Sequence, residues 1–210
     1  PHFYADYLKM LVPIDNSPFP ILVLVSAYFL GSIPFGLLFT RWGGKGDLRK
    51  IGSGNIGATN VLRTGSKFLA LITFICDGLK GYGAVYMGEQ FQIQDVAGVA
   101  VILGHMFPIW LKFRGGKGVA TYGGVLFGLS IPLGAQGVLS WVSFALIFGY
   151  SSLAALITAC LVPFTVWLWS YGEPLLYTTG GISILLILRH YENIIRLIKG
   201  KEPKIGQKKV

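Results

Sequence analysis

Three short stretches of this chain combine cations with glycine and small hydrogen-bonding side chains, a mixture suited to holding anions. In the first, Asp47-Leu48-Arg49-Lys50-Ile51-Gly52-Ser53-Gly54-Asn55-Ile56-Gly57-Ala58-Thr59-Asn60-Val61-Leu62-Arg63, the glycines at 52, 54 and 57 let backbone N–H groups turn toward a ligand. Ser53, Asn55, Thr59 and Asn60 add neutral partners, so phosphate is a natural guest. A loop whose charges only set membrane orientation has the same basic character. In the second, Lys112-Phe113-Arg114-Gly115-Gly116-Lys117-Gly118-Val119-Ala120-Thr121, a glycine-rich turn opens a helix, so the positive end of the helix dipole joins the Lys117 ammonium. The GxxxxGK[ST] spacing is absent, which excludes a Walker A loop. In the third, Arg189-His190-Tyr191-Glu192-Asn193-Ile194-Ile195-Arg196, helical steps of three put His190, Asn193 and Arg196 roughly on one face.

Other polar groups lie within apolar surroundings. Asp77 and Lys80 are three apart and suit an ion pair turned toward a bundle interior, as a structural pair or as a proton relay. His105 either braces a basic site or bonds a helix carbonyl. Ser151 and Ser152 either join the site or cap a helix. Cys76 and Cys160 lie in apolar stretches with no ligand spacing, which fits packing and excludes a disulfide framework or a metal centre. No nucleotide motif is present, and no cofactor is expected.

The elements that position these residues are long apolar runs. With 53% hydrophobic residues in 210, the chain is more apolar than a soluble domain of this size can hide. A spanning helix needs about 20 apolar residues. Seven such runs are expected: Phe19 to Phe39, Phe68 to Gly88, Val96 to Phe113, Val119 to Leu133, Gly137 to Tyr150, Leu153 to Ser170 and Leu175 to Leu188. Pro132 and Gly134 mark either a turn or a kink between the fourth and fifth. The many glycines, 29 in all, suit close helix packing.

The net charge of +9 is not spread over a face as in a nucleic-acid binder. Of 18 Lys and Arg, six fall between Arg41 and Lys67, three between Lys112 and Lys117, and seven between Arg189 and Lys209. The complementary segments carry Asp6, Asp15, Glu89, Asp95 and Glu173, with Lys9 as their single base. Seven spans place every basic segment in the cytoplasm, with the N-terminus outside and the C-terminus cytoplasmic. Residues 1–20 hold scattered prolines and acids and do not read as a cleavable signal peptide. The stretch from Lys199 to Val210 reads as a solvated basic tail, and residues 1–210 as one all-α, polytopic membrane domain.

Taken in order, GSGNIGATNVLR at Gly52 to Arg63, GHMFPIWLKFRGGKGVAT at Gly104 to Thr121 and RHYENIIRLIKG at Arg189 to Gly200 resemble the bacterial acyl-phosphate-dependent glycerol-3-phosphate acyltransferases. GSIPFG at Gly31 to Gly36 and DGLKG at Asp77 to Gly81 extend the resemblance, which leaves out only residues 1 to 19. It implies a seven-span enzyme of the bacterial inner membrane whose site faces the cytoplasm. That enzyme passes an acyl chain from acyl phosphate to position 1 of glycerol 3-phosphate, giving lysophosphatidic acid and phosphate, with membrane lipid around it and no nucleic acid partner. By the same resemblance Arg63, Lys117 and His190 are the catalytic candidates. Ser53, Gly54, Asn55, Asn60, Gly115, Gly116, Gly118, Thr121, Ser152 and Asn193 join them as substrate-binding candidates, to which His105 and Arg196 are added.

The chemistry agrees. Two phosphate-bearing reactants repel one another, so a site that joins them needs several cations in a partly desolvated setting, and Arg63, Lys117 and Arg196 suit that need. Phosphate leaves readily, so direct attack by the acceptor hydroxyl suffices, its proton passing to His190 or to a substrate phosphate oxygen. Two rivals remain open at this level: a transporter for a phosphate-bearing solute, and a structural subunit whose loops bind acidic lipid heads.

Overall fold

The computed structural model describes residues 18–207, so the expected charges at Asp6, Lys9, Asp15, Lys208 and Lys209 lie outside the described residues. The described residues are helical, without strands. The first apolar run is two helices, α1 (Phe19–Gly31) and α2 (Phe35–Trp42), bent by 40° at the break. The expected first span is thus broken at Pro34, which lacks an N–H and disfavours helical geometry at the residue before it. A helix break leaves backbone carbonyls without their intrahelical partners, which must be satisfied by other groups. Here the Trp110 indole N–H donates to the Ser32 carbonyl (2.6 Å) and the Lys80 ammonium to that of Ile33 (3.1 Å). Lys80 is itself held by Asp77 at 2.7 Å, with both side chains buried. The pair thus forms a polar stitch for the broken helix.

A 3-10 turn (Leu48–Lys50) and the short α3 (Ala58–Leu62) follow, then α4 (Lys67–Glu89), whose N-cap Ser66 accepts from the Leu69 N–H. Next come α5 (Gln94–Met106), a 3-10 turn (Ile109–Leu111), α6 (Val119–Leu129) and α7 (Ile131–Phe148). The chain continues with α8 (Ser151–Leu168), α9 (Glu173–Arg189) and α10 (Tyr191–Ile198). The fourth expected span stops at Leu129, and the fifth starts at Ile131 instead of Gly137, because Pro132 sits in the first turn of α7 behind an extended Ser130. Pro132 thus marks a turn and not a kink. Among the described residues four helices are long and apolar enough to cross a membrane, or five if α1 and α2 form one broken span.

Helix α4 lies at the centre, packed on α1, α2, α3, α5 and α6. Its crossing with α6 is set by glycine. A Cβ on Gly124 would lie 1.8 Å from the Gly78 carbonyl oxygen, and one on Gly81 would lie 2.2 Å from that of Thr121. Backbones can touch this closely only where side chains are missing, which is how helices associate without a hydrophobic drive. Val85, Val101, Ile102, Val125, Leu126, Val162 and Ile182 fill the core beside that crossing. Leu22, Leu79, Leu146, Ile147, Trp167 and Leu188 point outward instead, a dense apolar exterior suited to lipid. Cys160 is on that exterior and does not pack inside as expected, while Cys76 is half-buried, and both are free thiols.

Candidate functional site

The first motif is a loop built around one amide. Asn60 is 1% exposed, and its Nδ2 donates to the carbonyls of Leu48 (3.1 Å), Ile51 (2.9 Å) and Asn55 (2.8 Å). Its Oδ1 accepts from the Ser53 N–H (3.1 Å) and from the Arg63 guanidinium (3.2 Å). Asn60 borders the cavity, but its hydrogen-bonding capacity goes to shaping the loop that carries Ser53 and Arg63. Gly52 is left-handed (φ 55°) and sits where a Cβ would meet Asn60 Oδ1 at 2.5 Å, so only glycine fits beneath this staple. Buried Leu48, Ile56 and Val61 anchor the loop in a second apolar cluster with Leu37 and Ala70.

The second motif is clamped from both sides. The Gly115 and Gly116 N–H groups donate to the carbonyls of Met106 (3.0 Å) and His105 (3.1 Å), and Arg189 donates to the Gly115 carbonyl (3.0 Å) and the Gly116 carbonyl (3.3 Å). These two amides are therefore taken by the protein and do not face a ligand. Their effect is to fix Lys117, which enters the cavity one residue before the left-handed Gly118 starts α6. The Lys117 ammonium donates to Asn193 Oδ1. Burial depresses its pKa to about 8, against the pull of Glu202.

The third motif changes direction at His190, which separates α9 from α10 and is 3% exposed. His190 Nδ1 donates to the Leu186 carbonyl (2.8 Å), leaving Nε2 as the acceptor nitrogen. Burial, and then the Lys117 charge, push its pKa down to about 4, so the ring is neutral at pH 7. Asn193 is buried beside it and borders the cavity. Arg196 does not: it pairs with Glu202 (2.7 Å), which itself borders the cavity, and with Glu192 (3.7 Å) on the surface. The interruption at His190 breaks the single helical face on which Arg196 was expected to join His190 and Asn193.

Ser53, Asn55, Asn60, Arg63, His105, Lys117, Gly118, Ser152, His190 and Asn193 thus border one cavity of about 360 Å³. Gly54, Gly115, Gly116, Thr121 and Arg196 do not. Thr121 is wholly buried, its Oγ1 3.2 Å from His105 Nδ1, so it orients that ring. An apolar cavity of about 750 Å³ adjoins the basic one, and Phe74, Val119, Ala120, Val138 and Trp141 belong to both walls.

Two contributors were missed. Asp77 borders the cavity from α4. Thr59, one of the neutral partners expected in the first motif, bonds Ser151 (3.0 Å), tying that motif to the start of α8. Glu202 is the other: as far as it is described, the expected solvated tail instead folds back, with Ile205 N–H donating to the Gly149 carbonyl (2.8 Å) and Glu202 accepting from Ser152 (2.7 Å). An acid among Lys199, Lys201 and Lys204, flanked by Gly200 and Pro203, was the available signal.

A family model described as "Glycerol-3-phosphate acyltransferase" matches residues 21–200. A glycerol-3-phosphate acyltransferase of Mesorhizobium japonicum is 51% identical over 191 residues, 90% of this chain and 97% of that relative. One of Caulobacter vibrioides is 50% identical over 198 residues, 90% of this chain and 88% of that relative. Among solved structures, the crystal structure of PlsY (YgiH), an integral membrane glycerol 3-phosphate acyltransferase in its glycerol 3-phosphate form, superposes with a TM-score of 0.85 at 36% identity. It covers 89% of this chain and 96% of that one. The lysophosphatidic acid form gives 0.82 at 35%, with 88% and 94% covered.

Proposed function

Since the chain belongs to the glycerol-3-phosphate acyltransferase family, we propose that its basic cavity joins acyl phosphate to the 1-hydroxyl of glycerol 3-phosphate and releases lysophosphatidic acid and phosphate. The observation that carries this reading is the convergence of Arg63, Lys117, Ser152, His190 and Asn193, drawn from separate parts of the chain, on one cavity that shares a wall with an apolar one. The polar cavity suits the two phosphates and the apolar one an acyl tail.

The acceptor oxygen attacks the acyl carbonyl carbon, the carbonyl–phosphate C–O bond breaks, and the hydroxyl proton ends on the departing phosphate. Arg63 and Lys117 offset the charge gathered in this step. With a pKa near 4, His190 is a poor proton acceptor, so its Nε2 orients the attacking hydroxyl and a phosphate oxygen takes the proton. The transporter reading has no comparable support, because relatives and solved neighbours alike are named as acyltransferases.

Topology follows the same reading. The turns after α2, α5, α7 and α9 meet around the cavity, as the Thr59–Ser151, Arg189–Gly115 and Lys117–Asn193 bonds require. Alternation of the intervening turns fits seven crossings, with α1 and α2 as one, the basic end in the cytoplasm of a bacterium and the N-terminus outside. At 11 residues α6 is about 16 Å long, short of a bilayer core of about 30 Å. Such a crossing recesses Lys117 below the membrane surface.

The direct test uses the purified protein in detergent with acyl phosphate and glycerol 3-phosphate: phosphate and lysophosphatidic acid appear together, in equal amounts. Absence of either product, or equal use of an acyl thioester as donor, overturns the reading. The pH profile of kcat/KM is expected to rise through about pH 6 as the substrate phosphate loses its second proton, and to fall above about pH 8 as Lys117 is neutralised. His190→Gln is expected to keep both limbs; loss of the acid limb would instead give the proton to the histidine.

A further inference from the structure

A carboxylate inside a cavity built for anions is unexpected, because it removes positive charge where the reactants need it. Glu202 nonetheless buries its side chain to 7% exposure and takes three strong hydrogen bonds. Its Oε1 accepts from Ser152 Oγ (2.7 Å) and Asn193 Nδ2 (2.6 Å), and its Oε2 accepts from Arg196 Nε (2.7 Å). The surrounding segment is held in place by the Ile205–Gly149 backbone bond and by the Lys204 ammonium over the Tyr150 ring at 5.9 Å. Burial alone would push the Glu202 carboxyl up, but the bonds from Ser152, Asn193 and Arg196 win and hold it below its ordinary value, so it is charged at neutral pH.

The geometry has a directional consequence. A serine has one proton, and here it is given to Glu202, so Ser152 meets the cavity only as an acceptor. An asparagine amide has distinct ends, and with its nitrogen turned to Glu202 the oxygen of Asn193 is left for the Lys117 ammonium. One carboxylate therefore sets the polarity of two groups in the cavity wall and, through Asn193, the place of Lys117. An acceptor-only Ser152 suits a hydroxyl, not a phosphate oxygen.

We propose that Glu202 is a positioning residue for acyl transfer, holding Ser152 as an acceptor for a glycerol hydroxyl and aiming Lys117 through Asn193, with Arg196 neutralising its charge from outside the cavity. This rests on the acyl-transfer reading above. Lys117 is surrounded by Arg63, Arg189, Glu192, Arg196 and Glu202, by the titratable His190, and deeper in the wall by Asp77 and His105. Among these Glu202 does most to favour the charged ammonium.

The test compares wild type with Glu202→Gln in the full chain in detergent. Glu202→Gln is expected to raise KM for glycerol 3-phosphate by roughly tenfold, in line with a lost hydrogen bond to a charged group, while KM for acyl phosphate changes less than twofold. Its alkaline limb of kcat/KM is expected to move to lower pH, because Lys117 loses its acidic neighbour. Glu202→Asp, too short to reach Ser152 and Asn193 together, is expected to shift the same KM in the same direction and serves if the glutamine variant does not fold. An unchanged KM and alkaline limb in the folded variant overturn the proposal. A lowered KM also overturns it, by making Glu202 a competitor for the acceptor's place. A wild type that releases no phosphate on adding glycerol 3-phosphate instead defeats the parent reading.

Discussion

Replacing Lys117 by methionine is expected to lower kcat/KM for acyl transfer by roughly 10²- to 10³-fold, the effect seen when one preorganised charge-stabilising group is removed from a reaction centre. Methionine keeps the length and apolar stem of lysine, so the fold survives while the cation is lost. The effect is large because of where the ammonium lies. Gly115 and Gly116 are clamped by backbone bonds and by Arg189, and Asn193 receives the ammonium from across the cavity. A fixed cation in a partly desolvated place needs no reorganisation when charge builds on the departing phosphate. Lys117→Arg is not expected to restore the rate, since a planar fork does not fit a position shaped for a compact ammonium. Steady-state kinetics on the purified variants decide the matter; a methionine variant within threefold of wild type would remove Lys117 from the reaction.

The second large effect is on stability. Lys80→Met leaves the buried Asp77 carboxylate without its lysine partner and the Ile33 carbonyl at the helix break without its donor. Removing one partner of a buried ion pair typically destabilises by about 3–5 kcal/mol. The variant is therefore expected to unfold at a clearly lower temperature in detergent, followed by thermal loss of monodisperse protein. Asp77→Asn combined with Lys80→Met is expected to recover part of the loss, because no uncompensated charge then remains. A single variant as stable as wild type would show that Ile33 and Asp77 find other partners.

Both predictions turn on residues that were legible to different degrees. The three anion-binding motifs and the charge sorting were readable because polar chemistry stands out against apolar runs, and the cavity gathers residues from all three. Helix boundaries were harder. A membrane helix is apolar all round, so it lacks the amphipathic phase that marks the ends and faces of a soluble one. The break at Pro34 was therefore absorbed into a continuous run, and the turn expected near Pro132 and Gly134 falls a few residues earlier, at Ser130. Long-range returns were fainter still: a lone acid in the basic tail marks Glu202, but nothing local says that it reaches Ser152, or that Arg196 stays off the cavity wall after the interruption at His190. Gly115 and Gly116 look like ligand-facing glycines in a linear motif. Only packing against His105 and Arg189 gives them their actual work of fixing the lysine.

The common wall of the basic and apolar cavities has a kinetic meaning. Phe74, Val119, Ala120, Val138 and Trp141 line both, so the place proposed for the phosphates adjoins the place proposed for an alkyl chain. On the proposed reaction, a lipid-borne donor reaches the reaction centre without leaving its two-dimensional host, while glycerol 3-phosphate diffuses in from three dimensions. The donor's operative concentration is then a mole fraction in the lamella or micelle, and inert detergent is expected to slow turnover by surface dilution even when the total amount of donor is held constant.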